Sequence, residues 1–311
     1  MLNLPRHFGV LNLHKPPGET SRDVVNRVQR LIRPVKCGHA GTLDPMATGV
    51  LLVGIGPATK LISILQDGTK CYVAEFILGQ VSDTDDNTGQ IEQRPNPKVL
   101  PIREQISVVL DAMLGTVSQI PPAFSAVHVN GQRAYSLARR GEDVSLAAKQ
   151  VSIQAIEILR YEWPRLELQI ECGSGTYIRS IARDLGESLG TGGLMSRLQR
   201  TRVGEFGIRD AIDAECLTKE NISEHLCPAI RIVEHLPMFD CTPEEIVSLL
   251  CGRALLCERD RFRSRAIQDG DVRVALTSKQ FTELVALAEL TADGRLQPRT
   301  VFLPHAVAIE T

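Results

Sequence analysis

The sequence predicts an α+β protein, and three observations predict it. Short runs such as KCYVAEFIL, VSIQAIEIL and LELQIEC alternate apolar and polar residues, the period of half-buried strands. A few other segments repeat at the helical period and carry caps. After a composition shift at VEHLPMFDCTPEE, residues 233–245, the pieces VRVALT, LVALAEL and GRLQPRTVF are again short and strand-like. That tract is expected to link a large domain, residues 1–237, to a small mostly β module, residues 238–311. A chain of 311 residues, 43% apolar and 23% charged, is long enough for both.

The elements follow in order. Thr20 or Ser21 can cap a helix whose Val24, Val25, Val28, Leu31 and Ile32 keep the helical period until Pro34 stops it. GVLLVGIG reads as a strand, and a short helix near Pro57 carries Leu61, Ile62 and Leu65. KCYVAEFIL is a strand that runs into an acidic loop, residues 82–89. A helix is expected over 101–113. PPAFSAVHVNGQRAYSLARRG then reads as strand, turn and helix, with the turn at Asn130 and Gly131. Residues 151–172 supply two strands. GSGTYIRSIARDLGESLG is a glycine loop opening a helix with Ile178, Ile181, Ala182 and Leu185 on one face.

Several functions are disfavoured. The first twenty residues hold no apolar run long enough for a signal peptide and no segment approaches a membrane span, so a cytoplasmic location is expected. The eight cysteines include no C-x-x-C pair, which argues against a zinc ribbon or a disulfide framework; reduced, mostly buried thiols are expected. The acidic loop fails as an EF-hand, because counting from Asp83 puts Thr88 where glycine belongs and Arg94 where the closing acid belongs. The GSG lacks both the third glycine of a dinucleotide fingerprint and the GK[ST] of a P-loop, so no nucleotide cofactor is expected. A net charge of −2 gives no general basicity. Positive charge gathers locally, at Arg27, Arg30, Arg33 and Lys36 and at Arg197, Arg200, Arg202 and Arg209, as solvated helix faces or as anion contacts.

Residues 38–54, GHAGTLDPMATGVLLVG, carry more glycine and polar side chains than a strand entry needs. They form either an elaborate turn or a reacting edge. GHAGTLDPMATGVL resembles the signature of the TruB family of tRNA pseudouridine synthases, which make pseudouridine at position 55 of the T-loop. The resemblance continues, in order, through GVLNLHKPPGETS, KCYVAEFILGQVSDTDDNTGQI, IPPAFSAVHVNGQRAYSLARRG, GTYIRSIARDLGESLG and LQRTRVGEF, covering residues 8–210. It implies a mixed, mostly antiparallel pseudouridine-synthase sheet flanked by helices, an RNA-binding insertion at about 120–150, and a PUA-like RNA-binding domain at the C-terminus.

The resemblance also implies roles. Asp44 falls at the catalytic aspartate. Arg179 and Asp86 join it in a charge network in which Arg179 is expected to keep Asp44 ionised and oriented, reversing the effect of burial. Tyr72 is expected to stack on the uracil and offer its hydroxyl for proton removal at C5. His39 is expected to fill the space left by a flipped-out base. Tyr177 and Leu198 would line the base pocket, Lys15 and Pro16 would shape its floor, and the arginine clusters would meet phosphates. The motif glycines would let the backbone approach RNA. Departures from the family pattern are His14, where DKP is usual, and His128, where lysine is common. No cofactor and no metal are implied. The partner is tRNA, its T-loop and stem and its acceptor end, with no membrane or protein partner required and nothing demanding more than a monomer. Two alternatives are a non-catalytic tRNA-binding or RNA-folding protein and a guide-RNA-dependent pseudouridine synthase subunit.

Overall fold

The computed structural model describes residues 8–125, 127–129, 131–142, 146–263, 273–278 and 283–302. Its main sheet follows the strand order Ile212–Asp213, Gly9–Lys15, Thr48–Ile55, Gly193–Val203, Lys70–Leu78, Arg165–Cys172, Lys149–Glu162 and Gly115–Gln119. Gly9–Lys15 runs parallel to Ile212–Asp213, and Gly193–Val203 runs parallel to Thr48–Ile55. The other neighbours along this path are antiparallel. The α+β, mostly antiparallel expectation therefore holds.

The parallel seam in the middle is short, pairing Gln199 with Thr48 and Arg200 with Gly49. It joins the two halves of the sheet, and the GHAGTLDPMAT loop enters Thr48–Ile55 at this seam.

Two helices brace the sheet. Ser21–Ile32 begins at a capping box in which the Thr20 hydroxyl accepts from the Asp23 amide and the Asp23 carboxylate accepts from the Thr20 amide. Its Val24, Val25, Val28 and Ile32 pack with Leu11, Leu13, Leu51 and Val53. Ile178–Ser188 buries Ile178, Ile181, Ala182 and Leu185 against Tyr72, Ala74, Phe76 and Leu78 of the strand Lys70–Leu78. The helix expected over 101–113 spans Arg103–Asp111. A hairpin, His128–Val129 with Gln132–Arg133, precedes the helix Ala134–Ala138, and its turn residue Asn130 lies outside the described residues.

The tract expected as a connector is largely built. Met238–Cys241 is a strand of a second, five-stranded sheet, and Thr242 caps the helix Pro243–Leu250. That sheet runs in the order Met238–Cys241, Arg273–Ser278, Glu283–Leu290, Arg295–Val301, Leu255–Leu256. Its Met238, Ala275, Leu284 and Phe302 pack in one cluster with Val10, Val50, Leu52 and Leu61 of the large domain.

The thiols are free, but "mostly buried" is wrong: only Cys172 and Cys241 are fully buried, and Cys216 and Cys251 are exposed. Burial pushes Cys172 up to about 11 and Cys241 up to about 12, which leaves both inert thiols. Among the described residues no helix is long and apolar enough to cross a membrane.

Candidate active site

Asp44 projects from the loop between the strands Cys37–His39 and Thr48–Ile55, and its carbonyl accepts from the Ala47 amide at 3.0 Å. Beneath the loop lies Lys15, wholly buried at the end of Gly9–Lys15. Its Nζ donates to the carbonyls of Pro16 (2.8 Å), Pro45 (3.1 Å) and Ala47 (2.7 Å). All three ammonium protons are thus spent on the chain around Asp44. Burial lowers the Lys15 ammonium to about 8, against the raising pull of Glu19 and Asp44. Lys15 ties down the loop from below rather than offering a surface, and Pro16 contributes a carbonyl to the tie.

Arg179 reaches Asp44 from the first turn of Ile178–Ser188. Its Nε lies 3.0 Å from Asp44 Oδ2 and its Nη2 donates to Asp44 Oδ1 at 3.3 Å, a bidentate pair. The same guanidinium donates to the carbonyls of Thr84 (3.0 Å) and Phe124 (3.1 Å) and lies 3.7 Å from Asp86 Oδ2. The Arg179 side chain is 6% exposed while that of Asp44 is 33% exposed, so the carboxylate is held by a fixed cation and still reaches solvent. Burial raises the Asp44 carboxyl above the ordinary value; Arg179 opposes this, Asp86 adds to it, and Lys15 opposes it. The expectation that Arg179 reverses the shift is corrected: the ion pair offsets burial only in part.

Asp86 organises its own loop. Its Oδ1 accepts from the hydroxyls of Thr84 (2.7 Å) and Thr88 (2.6 Å) and from the Thr88 amide (2.9 Å), leaving Oδ2 for Arg179. The neighbouring acids are committed too. Asp83 accepts from the Gln90 amide at 2.7 Å, and Asp85, at a positive φ of 58°, pairs with Arg183 at 2.9 Å.

Tyr72 lies on Lys70–Leu78, 8% exposed, in a cluster with Leu43, Ala47 and Leu198. Burial raises its phenol, and the facing Arg200 guanidinium opposes that rise. Tyr177 stands just before the helix. Its amide donates to Gln119 Oε1 (2.9 Å) and its carbonyl accepts from Gln119 Nε2 (3.1 Å). Burial raises its phenol, and Ser125 opposes this. His39 pairs with Val53 at the sheet, and its buried Nδ1 has no hydrogen-bond partner among the described residues. Burial and Arg200 lower its basicity, against a raising interaction with the Gly41 backbone, and the net lowering favours the neutral ring.

The structure therefore brings Asp44, Arg179, Asp86, Lys15 and Pro16 together and sets Tyr72 and Leu198 in the adjoining cluster. The arginine clusters are only partly available. Arg200 is buried, Arg202 pairs with Glu171 at 3.1 Å, and Arg27 pairs with Glu19 at 2.8 Å. Arg30, Arg33, Lys36, Arg197 and Arg209 remain exposed. The motif glycines serve the protein's own packing: Gly41 and Gly49 sit at φ +99° and +103°, and a Cβ at Gly49 would overlap the Arg200 backbone. Arg183 was not singled out in the sequence, although it lies one helical turn from Arg179; it donates to Asp85 and to the Ile120 carbonyl.

Solved structures share this fold. The chain superposes on one described as a Cbf5-Nop10-Gar1 complex with a TM-score of 0.74 and 27% identity, over 98% of this chain and 88% of that one. A structure of an H/ACA RNP bound to a substrate RNA containing 2'-deoxyuridine matches with a TM-score of 0.72 and 26% identity, over 96% and 86%. In sequence, residues 29–178 match the TruB family pseudouridylate synthase N-terminal domain, and residues 179–236 match the tRNA pseudouridylate synthase B C-terminal domain. A tRNA pseudouridine synthase B from Microcystis aeruginosa is 43% identical over 80% of this chain and 84% of its own, and one from Caulobacter sp. is 40% identical over 94% and 96%. Such matches define a class, the pseudouridylate synthases. Within it, the chain belongs to the TruB family.

Proposed function

We propose that the protein is a stand-alone tRNA pseudouridine synthase that isomerises uridine 55 of the T-loop, with Asp44 as its catalytic residue. The observation that carries this reading is the Asp44 carboxylate, gripped at both oxygens by the buried Arg179 fork on a loop tied down by Lys15. An in-place isomerisation needs such a group: the N1–C1′ bond breaks, the uracil turns, and a C5–C1′ bond forms. The C5 proton leaves and N1 gains one, so nothing is oxidised and no group is added. A fixed, partly exposed carboxylate can attack C1′ or take a proton from the sugar and balance charge there. Both first steps suit the geometry.

Tyr72 is assigned the stack on the uracil and, as the phenolate, the proton from C5. His39, neutral and with an unspent ring nitrogen, is assigned the gap left by the extruded base. Leu198 and Tyr177 line the base pocket. The exposed Arg30, Arg33, Lys36, Arg197 and Arg209 are assigned to phosphates. Residues 238–311 are read as a PUA-like module directed at the acceptor end, and the cytoplasm as the place of action. The stand-alone reading is favoured over a guide-RNA-dependent subunit by 43% identity to a tRNA pseudouridine synthase B against 27% to Cbf5.

The test is mass-spectrometric mapping of unmodified tRNA incubated with purified protein alone. Wild type should place pseudouridine at the T-loop site and Asp44→Asn should leave the tRNA unchanged. Product from both, or from neither without an added guide RNA, rejects the proposal.

A further inference from the structure

Arg200 heads the fully buried side chains by volume and is 2% exposed. A guanidinium taken out of water is costly unless a carboxylate meets it. Among the described residues none does. Instead its Nε donates to the Val50 carbonyl at 2.7 Å and its Nη2 to the Gly41 carbonyl at 3.2 Å. These carbonyls flank the Asp44 loop, one before Asp44 and one after the loop enters its strand.

On its other side Arg200 is the direct cross-strand partner of Tyr72, on an antiparallel neighbour, while Gly49 is its partner on the parallel neighbour. It therefore stands at the seam of the two half-sheets, with the Asp44 loop on one side and Tyr72 on the other. The chain is shaped around it: Gly49 admits the Arg200 backbone where any side chain would collide, and Gly41 takes a left-handed conformation beside the guanidinium. Stability alone does not account for such a residue, since an apolar side chain of similar volume would avoid the desolvation cost.

We propose that Arg200 is a positioning residue of the isomerisation, fixing the Tyr72 hydroxyl and the Asp44 loop relative to each other for proton removal at C5. This rests on the assignment of Asp44 and Tyr72 given above. Its chemistry fits the step: a buried phenol resists ionisation, and the facing guanidinium opposes that resistance. The phenolate takes the C5 proton and becomes phenol, N1 is protonated from solvent, and the phenol releases one proton back to solvent before the next turnover, so no proton is consumed.

The test pairs kinetics with a readout on the free protein. Arg200→Lys and Arg200→Met should lower kcat on a T-stem-loop RNA on the order of 10-fold to 100-fold with KM unchanged, the signature of misplaced groups rather than lost binding. In RNA-free protein labelled with ¹³Cζ-tyrosine, the Tyr72 resonance, identified by its loss in Tyr72→Phe, should titrate at higher pH in both variants. Should the variants fail to fold, the ¹⁵N guanidinium signals of Arg200 in the wild type should still shift on Tyr72→Phe. An unchanged kcat, a rise in KM with kcat intact, or guanidinium signals indifferent to Tyr72→Phe overturns the proposal. Asp44→Asn run alongside separates the two readings: product from that variant rejects the assignment of Asp44, whereas the resonances judge Arg200 without turnover.

Discussion

Asp44 is pulled two ways, upward in pKa by burial and Asp86, downward by Arg179 and Lys15, with the upward pull ahead. If Asp44 is the catalytic group, as proposed, its active form is the carboxylate, so activity should be lost as pH falls through a value above that of an ordinary aspartate. The acid limb of kcat/KM should show this, and in Arg179→Met it should move to still higher pH because a group that favours the charge is gone. Linkage gives the companion sign. With the folded pKa above the unfolded one, the folded state holds the Asp44 proton more tightly, so ionisation subtracts stability as pH rises from the ordinary value through the raised one. Asp44→Asn should therefore abolish product while melting no lower than wild type at neutral pH, checked by circular dichroism. The one-third exposure of the side chain keeps that stability effect small. Arg179→Lys is a sharper test of geometry, because one ammonium cannot replace a fork that meets both Asp44 oxygens and two carbonyls. A drop in kcat on the order of 100-fold is expected in single-turnover assays.

At the scale of elements, the site depends on how Ile178–Ser188 is held. Its start is stitched to the end of the strand Gly115–Gln119: Gln119 closes a reciprocal pair with Tyr177, and Ser180 and Arg183 both donate to the Ile120 carbonyl. Its far end presses on a glycine pair, since a Cβ at Gly186 would land on the backbone of Gly192 and Gly193. Gly186→Ala should shift the helix or unfold the protein, costing about 3 kcal/mol or more as an overpacked contact without a flexible neighbour to yield; a chemical denaturation midpoint measures it. The helix itself was legible, because Ile178, Ile181, Ala182 and Leu185 keep its period. Its stitching was not, because contacts across some 60 residues leave no local pattern. Arg197 and Arg200 look like one basic helix face in sequence, yet they lie on a bulged strand whose alternation sends Arg200 inward and Arg197 outward. The misread connector did carry a signal: Thr242 and Glu245 form the T-x-x-E capping box of the helix after Pro243. Asp44 was legible only through the family motif, since an aspartate before proline is by itself a turn former.

The whole molecule joins a surface of scattered exposed cations to a shared core. Net charge is −2, so the proposed attraction to RNA has to be local, and the exposed Arg30, Arg33, Lys36, Arg197 and Arg209 are the cations proposed to supply it. If these meet phosphates, Kd for the T-stem-loop should rise with salt, and Lys36→Gln or Arg209→Gln should flatten the log–log slope by about one each while leaving kcat unchanged. The core makes a different demand. Met238, Ala275, Leu284 and Phe302 belong to the same cluster as Val10, Val50 and Leu52, and Phe302 stacks on Phe8 at 5.2 Å between ring centroids. Val50 and Leu52 also lie on the strand that leaves the Asp44 loop. The second sheet thus covers one of the two buried faces of the strand that leaves the Asp44 loop, and the two sheets should melt together. Calorimetry should show one transition with matching calorimetric and van't Hoff enthalpies. Phe302→Ala, which removes a 3%-exposed ring from the shared cluster, should lower that transition by about 3–5 kcal/mol of stability. Two resolved transitions in the wild type, or a Phe302→Ala loss confined to one of them, would show that the second sheet folds apart from the catalytic strand.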